Sequence, residues 1–238
     1  MLNRLRRAAR ALAGEPQPPL ISRLIRGDPR SSTFFDAIEY INFEQIEGDI
    51  VECGVFGGVS LSILAKGATF DPKGMTRRVI GIDTFEGLPA STEPHARWGE
   101  GDCATMHGAH PLLQPGERVT PESTRELFRR CELAEPTLLV GRFDAVLPTV
   151  VPSQLSRIAL LHVDCDLYES TRDVLAGVAE VLEDGAIVLF DDWFHYRGHP
   201  GRGEARAFAE FLEQHPQWHA VQWRSYGPFS NAFIVSRR

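Results

Sequence analysis

From Asp49 onward, short continuous apolar runs alternate with stretches in which apolar residues recur every three or four positions. The runs are DIVECGV, RRVIGIDTF, PTLLVGRF, RIALLHVDCD and AIVLFDDW, and the stretches between them include SLSILAKGA, PESTRELFRRC and ESTRDVLAGVAEVLEDG. In the last of these Leu175, Val178, Ala179 and Leu182 fall at helical spacing. Continuous apolar runs separated by helices are what parallel strands covered on both faces look like, so the pattern predicts a doubly wound, Rossmann-like α/β sheet. After a further helix, GEARAFAEFLEQH, the runs HAVQWR and NAFIVSR flank a turn at Ser225-Tyr226-Gly227-Pro228. They predict an antiparallel C-terminal hairpin closing one edge of a mostly parallel sheet. With no internal repeat and no second core, residues 31–238 read as a single domain.

Residues 1–30 read differently. Arg4, Arg6, Arg7 and Arg10 are interleaved with apolar residues, and Glu15-Pro16-Gln17-Pro18-Pro19 follows. This predicts a basic amphipathic helix and a Pro-rich linker. One short helix without a second anchor binds a bilayer weakly, so no stable membrane anchoring is expected and a terminus that is solvated or packs in an oligomer such as a homodimer fits better. The segment from Pro89 to Pro121, rich in Gly, His, Pro and Thr, is too long for an ordinary connector and suits a lid or substrate loop.

Composition narrows the partners. The 238 residues are 43% hydrophobic and 24% charged, with a net charge of -7, which suits a globular protein acting on a small molecule and argues against nucleic acid. The chain shows no membrane-spanning apolar stretch and no signal-peptide core, so a cytoplasmic protein is expected. Cys53, Cys103, Cys131 and Cys165 have no metal-binding spacing and read as free thiols.

The chemistry lies where the strands end. Asp164-Cys165-Asp166 closes one apolar run and Asp191-Asp192 closes another. Acids at the end of a buried run are costly unless paired or metal-bound, and neither segment has a Lys or Arg close by in sequence, which makes a divalent cation the simplest partner. An all-carboxylate set favours a hard ion such as Mg²⁺. If the strand persists, Asp164 and Asp166 share a face with His162. The competing reading is helix caps or solvated turns.

The first strand ends in Glu52-x-Gly54-x-x-x-Gly58-x-Ser60 and the second in Asp83. Glycines at a strand-to-helix turn admit a ligand to the backbone, and an acid ending the next strand can accept ribose hydroxyls. An acid ahead of the first glycine would repel a pyrophosphate and suits a cationic amine, as in S-adenosylmethionine. The plainer alternative is a tight turn with Ser60 as helix cap.

With these motifs in view, the chain resembles the macrocin/mycinamicin sugar O-methyltransferases over roughly Gly48 to Asp192. The resemblance rests on GDIVECGV, DTFEGLP, GRFDAVLP, DCDLYEST and DDW in that order. It implies a class I methyltransferase fold that uses S-adenosylmethionine and Mg²⁺ to methylate a hydroxyl of a sugar-like or vicinal-diol acceptor in natural-product or glycan tailoring. By the same resemblance Asp164, Asp191 and Asp192 hold the metal, and Asp166 accepts the proton with Asp164 beside it in the catalytic group. Glu52, Gly54, Phe56, Gly58 and Ser60 line the methionine end, Asp83 meets the ribose, and Phe143 or Asp144 borders the adenine. One departure stands out. Family members usually carry DDY followed closely by a helix, whereas here Trp193 to Gly203 intervenes, with His195 and His199 as further candidates for base or ligand and Arg197 and Arg202 for an anionic substrate group. Two rivals remain: a metal-dependent glycosyltransferase using Asp164-Cys165-Asp166, and a non-catalytic nucleotide-binding subunit.

Overall fold

The computed structural model describes residues 18–70 and 77–238; the basic helix expected over residues 1–14 lies outside them. Seven strands form one sheet: β1 Asp49–Cys53, β2 Val79–Asp83, β3 Thr137–Val140, β4 Ile158–Val163, β5 Leu182–Phe190, β6 Trp218–Tyr226 and β7 Ser230–Arg237, in the order β3-β2-β1-β4-β5-β7-β6. The first five are parallel, and β7 runs antiparallel between β5 and β6. The expected hairpin is therefore present, with its second strand inserted next to β5 and its first strand forming the sheet edge.

Side-chain alternation divides the core. Ile50, Leu160, Ile187 and Leu189 face helices α1 (Leu20–Gly27), α2 (Ser31–Phe43) and α3 (Val59–Ala68), where Ile21, Phe34, Ile38, Ile41 and Leu64 are buried. Val51, Leu161, Val188 and Phe190 face the other way, onto Leu147 of α5 (Phe143–Val150), Leu175 of α6 (Tyr168–Val178) and Phe208 and Phe211 of α7 (Gly203–Gln214). Helix α4 (Pro121–Arg130) covers the flank beside α3; its capping box at Thr120 and Ser123, with Pro121 opening the helix, fixes where it begins. Burying successive residues of one strand on opposite helical layers explains why β1 and β4 are apolar almost throughout.

Helix α1 lies within the stretch read from sequence as helix and linker, yet Ile21 is buried in the domain core, so the packed unit begins ahead of residue 31. Among the described residues, no helix is long and apolar enough to cross a membrane. The four cysteines are free thiols.

Candidate active site

The strand order reverses between β1 and β4, and in a doubly wound sheet the crevice at the carboxyl ends of those strands is where ligands collect. The chain turns sharply there. Gly54 has φ +93°, and a Cβ on it would stand 1.7 Å from the carbonyl oxygen of Asp164, so only glycine lets the end of β1 pass the end of β4. The Asp164 N–H donates to the Cys53 carbonyl at 2.9 Å across this crossing. A cavity of about 330 Å³ opens at this point.

One end of the cavity is lined by Gly54, Phe56, Ser60, Asp83 and Phe143. One oxygen of Asp83 accepts the Val55 and Phe56 amides at 2.7 and 2.9 Å and the other accepts the Phe85 amide at 2.8 Å, so the carboxylate braces the glycine turn from which it also faces the cavity. The long segment after β2 covers this end with Trp98, Cys103, Met106 and His107, the last stacked on Phe56 at 4.9 Å. This matches the expected lid position.

Three residues read as cofactor contacts stand elsewhere. Glu52 is fully buried and does not line the cavity; its Oε1 meets Nδ1 of His162, its neighbour in the β1–β4 register, at 2.8 Å. Parallel neighbours project to the same side of a sheet, and here that side is the α2 layer, where Phe34 packs edge-on to the imidazole at 4.9 Å. Gly58, with φ +77°, caps α3 and is not a lining residue, which also corrects the expectation of Ser60 as cap. Asp144 points into solvent and pairs with Arg142 at 3.1 Å, leaving Phe143 as the member of that pair in the cavity wall.

At the opposite end, Asp164, Asp166, Asp191 and Asp192 all reach the cavity but not as one cluster. His162, Asp164 and Asp191 form one group and Asp166, Asp192 and His195 another, each with its donor atoms within 4.8 Å. Two backbone facts divide them. Asp191 and Asp192 follow Phe190, the last residue of β5, and their carboxylates enter different groups. The strand β4 stops at Val163, and Asp166 has φ +60°, which turns it away from the alternation that would have kept it beside Asp164.

The first group is not short of a cation. Arg30, at the start of α2, donates from one nitrogen to Asp164 Oδ2 at 3.0 Å and contacts Asp191 Oδ2 at 3.1 Å, while Asp28 holds the rest of the guanidinium. The sequence expectation that these acids lack a basic partner is thus corrected: the partner is 134 positions away from Asp164 along the chain. The histidine adds to it: burial opposes its charge, but the hydrogen bond to Glu52 and the nearby Asp191 carboxylate, 3.9 Å away, outweigh it and raise the imidazole to about 10. Against these two cations, and despite burial, Asp191 is held well below the usual carboxylate range.

The second group has no such compensation. Asp166 is pushed up to about 7 by burial and by the charges of Asp164 and Asp191. Asp192 is raised well above the ordinary value by burial and by Asp166 and Asp191. Its Oδ2 and the Nδ1 of His195 are buried without a hydrogen-bond partner, so these residues fit a bound cation. The predicted Asp164, Asp191 and Asp192 set is therefore split between an arginine-filled half and an uncompensated half. His199, Arg197 and Arg202 do not line the cavity, whereas Arg30 and His195 do. Sequence spacing gave no sign of Arg30.

The family described as macrocin-O-methyltransferase (TylF) matches residues 3–217. An 8-demethyl-8-(2,3-dimethoxy-alpha-L-rhamnosyl)-tetracenomycin-C 4'-O-methyltransferase from Streptomyces olivaceus is 30% identical over 178 residues, 74% of this chain and 64% of that protein. A demethyldecarbamoylnovobiocin O-methyltransferase from Streptomyces niveus is 29% identical over 177 residues, again 74% of this chain and 64% of the relative. The matched region thus spans somewhat less than two thirds of these relatives. Among solved structures, that of the O-methyltransferase NovP superposes with a TM-score of 0.66 at 22% identity, covering 88% of this chain and 80% of that one, which establishes the shared fold.

Proposed function

The chain belongs to the macrocin-O-methyltransferase (TylF) family, and from that premise we propose that it transfers the methyl group of S-adenosylmethionine to a hydroxyl of a sugar-bearing small molecule, with a divalent cation such as Mg²⁺ at the acid end of the cavity. The observation that carries this reading is the arrangement of the cavity. A glycine crossing with an acid at the end of β2 lies at one end and a cluster of acids at the other, on the same carboxyl edge of the sheet.

Each residue has work to do in that reaction. The Gly54 crossing brings bare backbone to the cavity wall, Ser60 and Phe56 border the methionine end, Asp83 faces the ribose and Phe143 the base. When bound, the cofactor supplies an electrophilic methyl on a sulfonium and the cation supplies charge that favours a deprotonated acceptor hydroxyl. Asp166, which lines the acid end of the cavity, takes the hydroxyl proton as general base. The lid residues Trp98 and His107 exclude water from the same space. The rest of the rate comes from holding the two reactants in line.

The glycosyltransferase reading loses its footing, because Asp164 and Asp166 belong to different clusters and do not act as one clamp. Calorimetry with S-adenosylmethionine and with a nucleotide sugar separates the two: tight binding of the nucleotide sugar alone would overturn methyl transfer. A panel of deoxysugar glycosides and nucleotide deoxysugars, followed by S-adenosylhomocysteine release, then identifies the acceptor. Release with none of the panel would leave the binding-subunit reading in its place.

A further inference from the structure

Resting on the methyl-transfer reading, we propose that Phe229 and Phe194 are specificity contacts for the part of the acceptor that lies outside the reacting sugar, and that this part is an apolar, ring-bearing aglycone. Space is the first reason. The cavity holds about 330 Å³, near the lower end of the roughly 300–1,000 Å³ that a single small-molecule ligand occupies. Here it must seat a cofactor and a sugar together, so whatever the sugar is attached to rests on the rim.

The rim at the acid end is aromatic. His195 lines the cavity there, and the ring of Phe229 packs on its imidazole at 4.7 Å without itself lining the cavity. Phe229 is 46% exposed, and Phe194, next to His195 in the chain, is 37% exposed. A single exposed phenylalanine is ordinary on a protein surface, but these two are joined: the Phe194 N–H donates to the Phe229 carbonyl at 2.7 Å. One comes from the Trp193–Gly203 stretch that follows the acids of β5, the other from the tip of the β6–β7 hairpin. The stretch that departs from the family pattern thus contributes directly to this rim.

The hairpin tip is fastened in place. Ser230 donates its hydroxyl to the Asp191 carbonyl at 2.8 Å, and the Tyr226 hydroxyl donates to the Phe190 carbonyl at 3.2 Å, so both ends of the turn are tied to the end of β5. An aromatic ring on backbone held this way loses little freedom when a ligand stacks on it, which favours binding through preorganisation.

The inner wall suits the sugar. Trp98 lines the cavity from the lid, and its Nε1 is buried with no hydrogen-bond partner, which leaves a donor for a sugar oxygen. The indole nitrogen of Trp218 is unpaired as well but belongs to the hydrophobic core, so it is the place of Trp98 in the cavity wall that assigns its donor to a ligand. Arg97, beside Trp98, is exposed, and after burial its charge is the next cause that lowers His195. A nucleotide diphosphate is therefore the competing group for this rim, and the fastened aromatic pair favours the aglycone over it.

Fluorescence and calorimetric titrations of the protein, with and without S-adenosylhomocysteine, against a panel of deoxysugars, each as its methyl glycoside, its naphthyl glycoside and its nucleotide sugar, test this. The expected result is a naphthyl glycoside bound at least about tenfold more tightly than its methyl counterpart, with the preference falling below about threefold in the Phe194→Ala Phe229→Ala double variant. The loss should be confined to the naphthyl glycoside. Equal binding of the methyl and naphthyl forms, a preference that survives the double variant, tighter binding of a nucleotide sugar than of the naphthyl glycoside, or no binding of any naphthyl glycoside would each overturn the proposal. Should the double variant not fold, nuclear Overhauser contacts between naphthyl and phenylalanine ring protons in the wild-type protein give a second reading, and their absence counts against the pair. Calorimetry with S-adenosylmethionine keeps the two ideas apart: failure to bind it removes the methyl-transfer reading, while a naphthyl preference that the double variant loses leaves the aromatic contact standing.

Discussion

Glu52 Oε1 and His162 Nδ1 meet at 2.8 Å between β1 and β4, and neither side chain has any solvent exposure. Raised to about 10, the imidazole carries its charge at neutral pH. Removing one partner of a buried pair strands the other charge, so Glu52→Ala is expected to cost about 3–5 kcal/mol, with Glu52→Gln costing less because it keeps an acceptor for the N–H. Urea titration of both variants measures the difference. Since Glu52 does not line the cavity, S-adenosylmethionine affinity of folded Glu52→Gln should stay within about threefold of wild type; a loss of two orders of magnitude would restore the amine-binding role read from the sequence.

The same pair sets a pH limit. The folded value of His162 stands above its ordinary 6.5, so its contribution to stability is fully present below that pH and is lost as pH rises through about 10. Melting temperatures of wild type and His162→Gln, taken from pH 6 to pH 10 on the order of one unit apart, should converge at the alkaline end. A gap that widens with pH would contradict the ionic pair.

Gly54→Ala is expected to be far more damaging than an ordinary glycine-to-alanine change. The added methyl would sit 1.7 Å from the Asp164 carbonyl oxygen on backbone with φ +93°, so the ends of β1 and β4 must separate. A loss above about 4 kcal/mol, or a folded variant with no measurable cofactor binding, is the expected outcome in chemical denaturation and calorimetry. Near-wild-type behaviour in both would show that the crossing is softer than its geometry.

These positions also show how far the sequence could be read. Parallel strands announced themselves because β1, β4 and the Ala186–Phe190 part of β5 are buried on both faces and so leave apolar runs interrupted at few positions, and the turn at Gly54 was visible as a glycine at a strand exit. What could not be read was pairing at long range. Arg30 reaches Asp164 and Asp191 only because α2 lies over the ends of β4 and β5, and no local spacing encodes that. Asp166 is a different case: its left-handed backbone breaks the two-residue alternation, and Asp, which tolerates that conformation, gives no warning of it.

Metal and proton compete at Asp166. Its folded value of about 7 stands above the ordinary 3.8, so without a cation its contribution to stability is fully present below that ordinary value and is lost as pH rises through about 7. A bound cation needs the deprotonated carboxylate, which reverses the trend. The rise in melting temperature produced by saturating Mn²⁺ should therefore be larger at pH 8 than at pH 5.5, and chelation should abolish it. An equal rise at both pH values would place the ion away from Asp166.

Glu204 extends the same reasoning one layer deeper. Its Oε2 accepts the Asp192 N–H at 2.9 Å, and burial together with the charges of Asp192 and Asp191 pushes the carboxyl well above the usual range. An amide of the same shape keeps the oxygen that accepts this N–H. Glu204→Gln is expected to change stability by less than about 1 kcal/mol, whereas Glu204→Ala leaves the Asp192 amide without an acceptor and opens a gap, costing about 2–4 kcal/mol. Because that amide fixes the backbone from which Asp192 projects, Glu204→Ala should also weaken Mn²⁺ binding while Glu204→Gln leaves it unchanged. Denaturation and metal titration on the two variants check both halves, and a Gln variant as damaged as the Ala variant would mean that Glu204 works as a charged group.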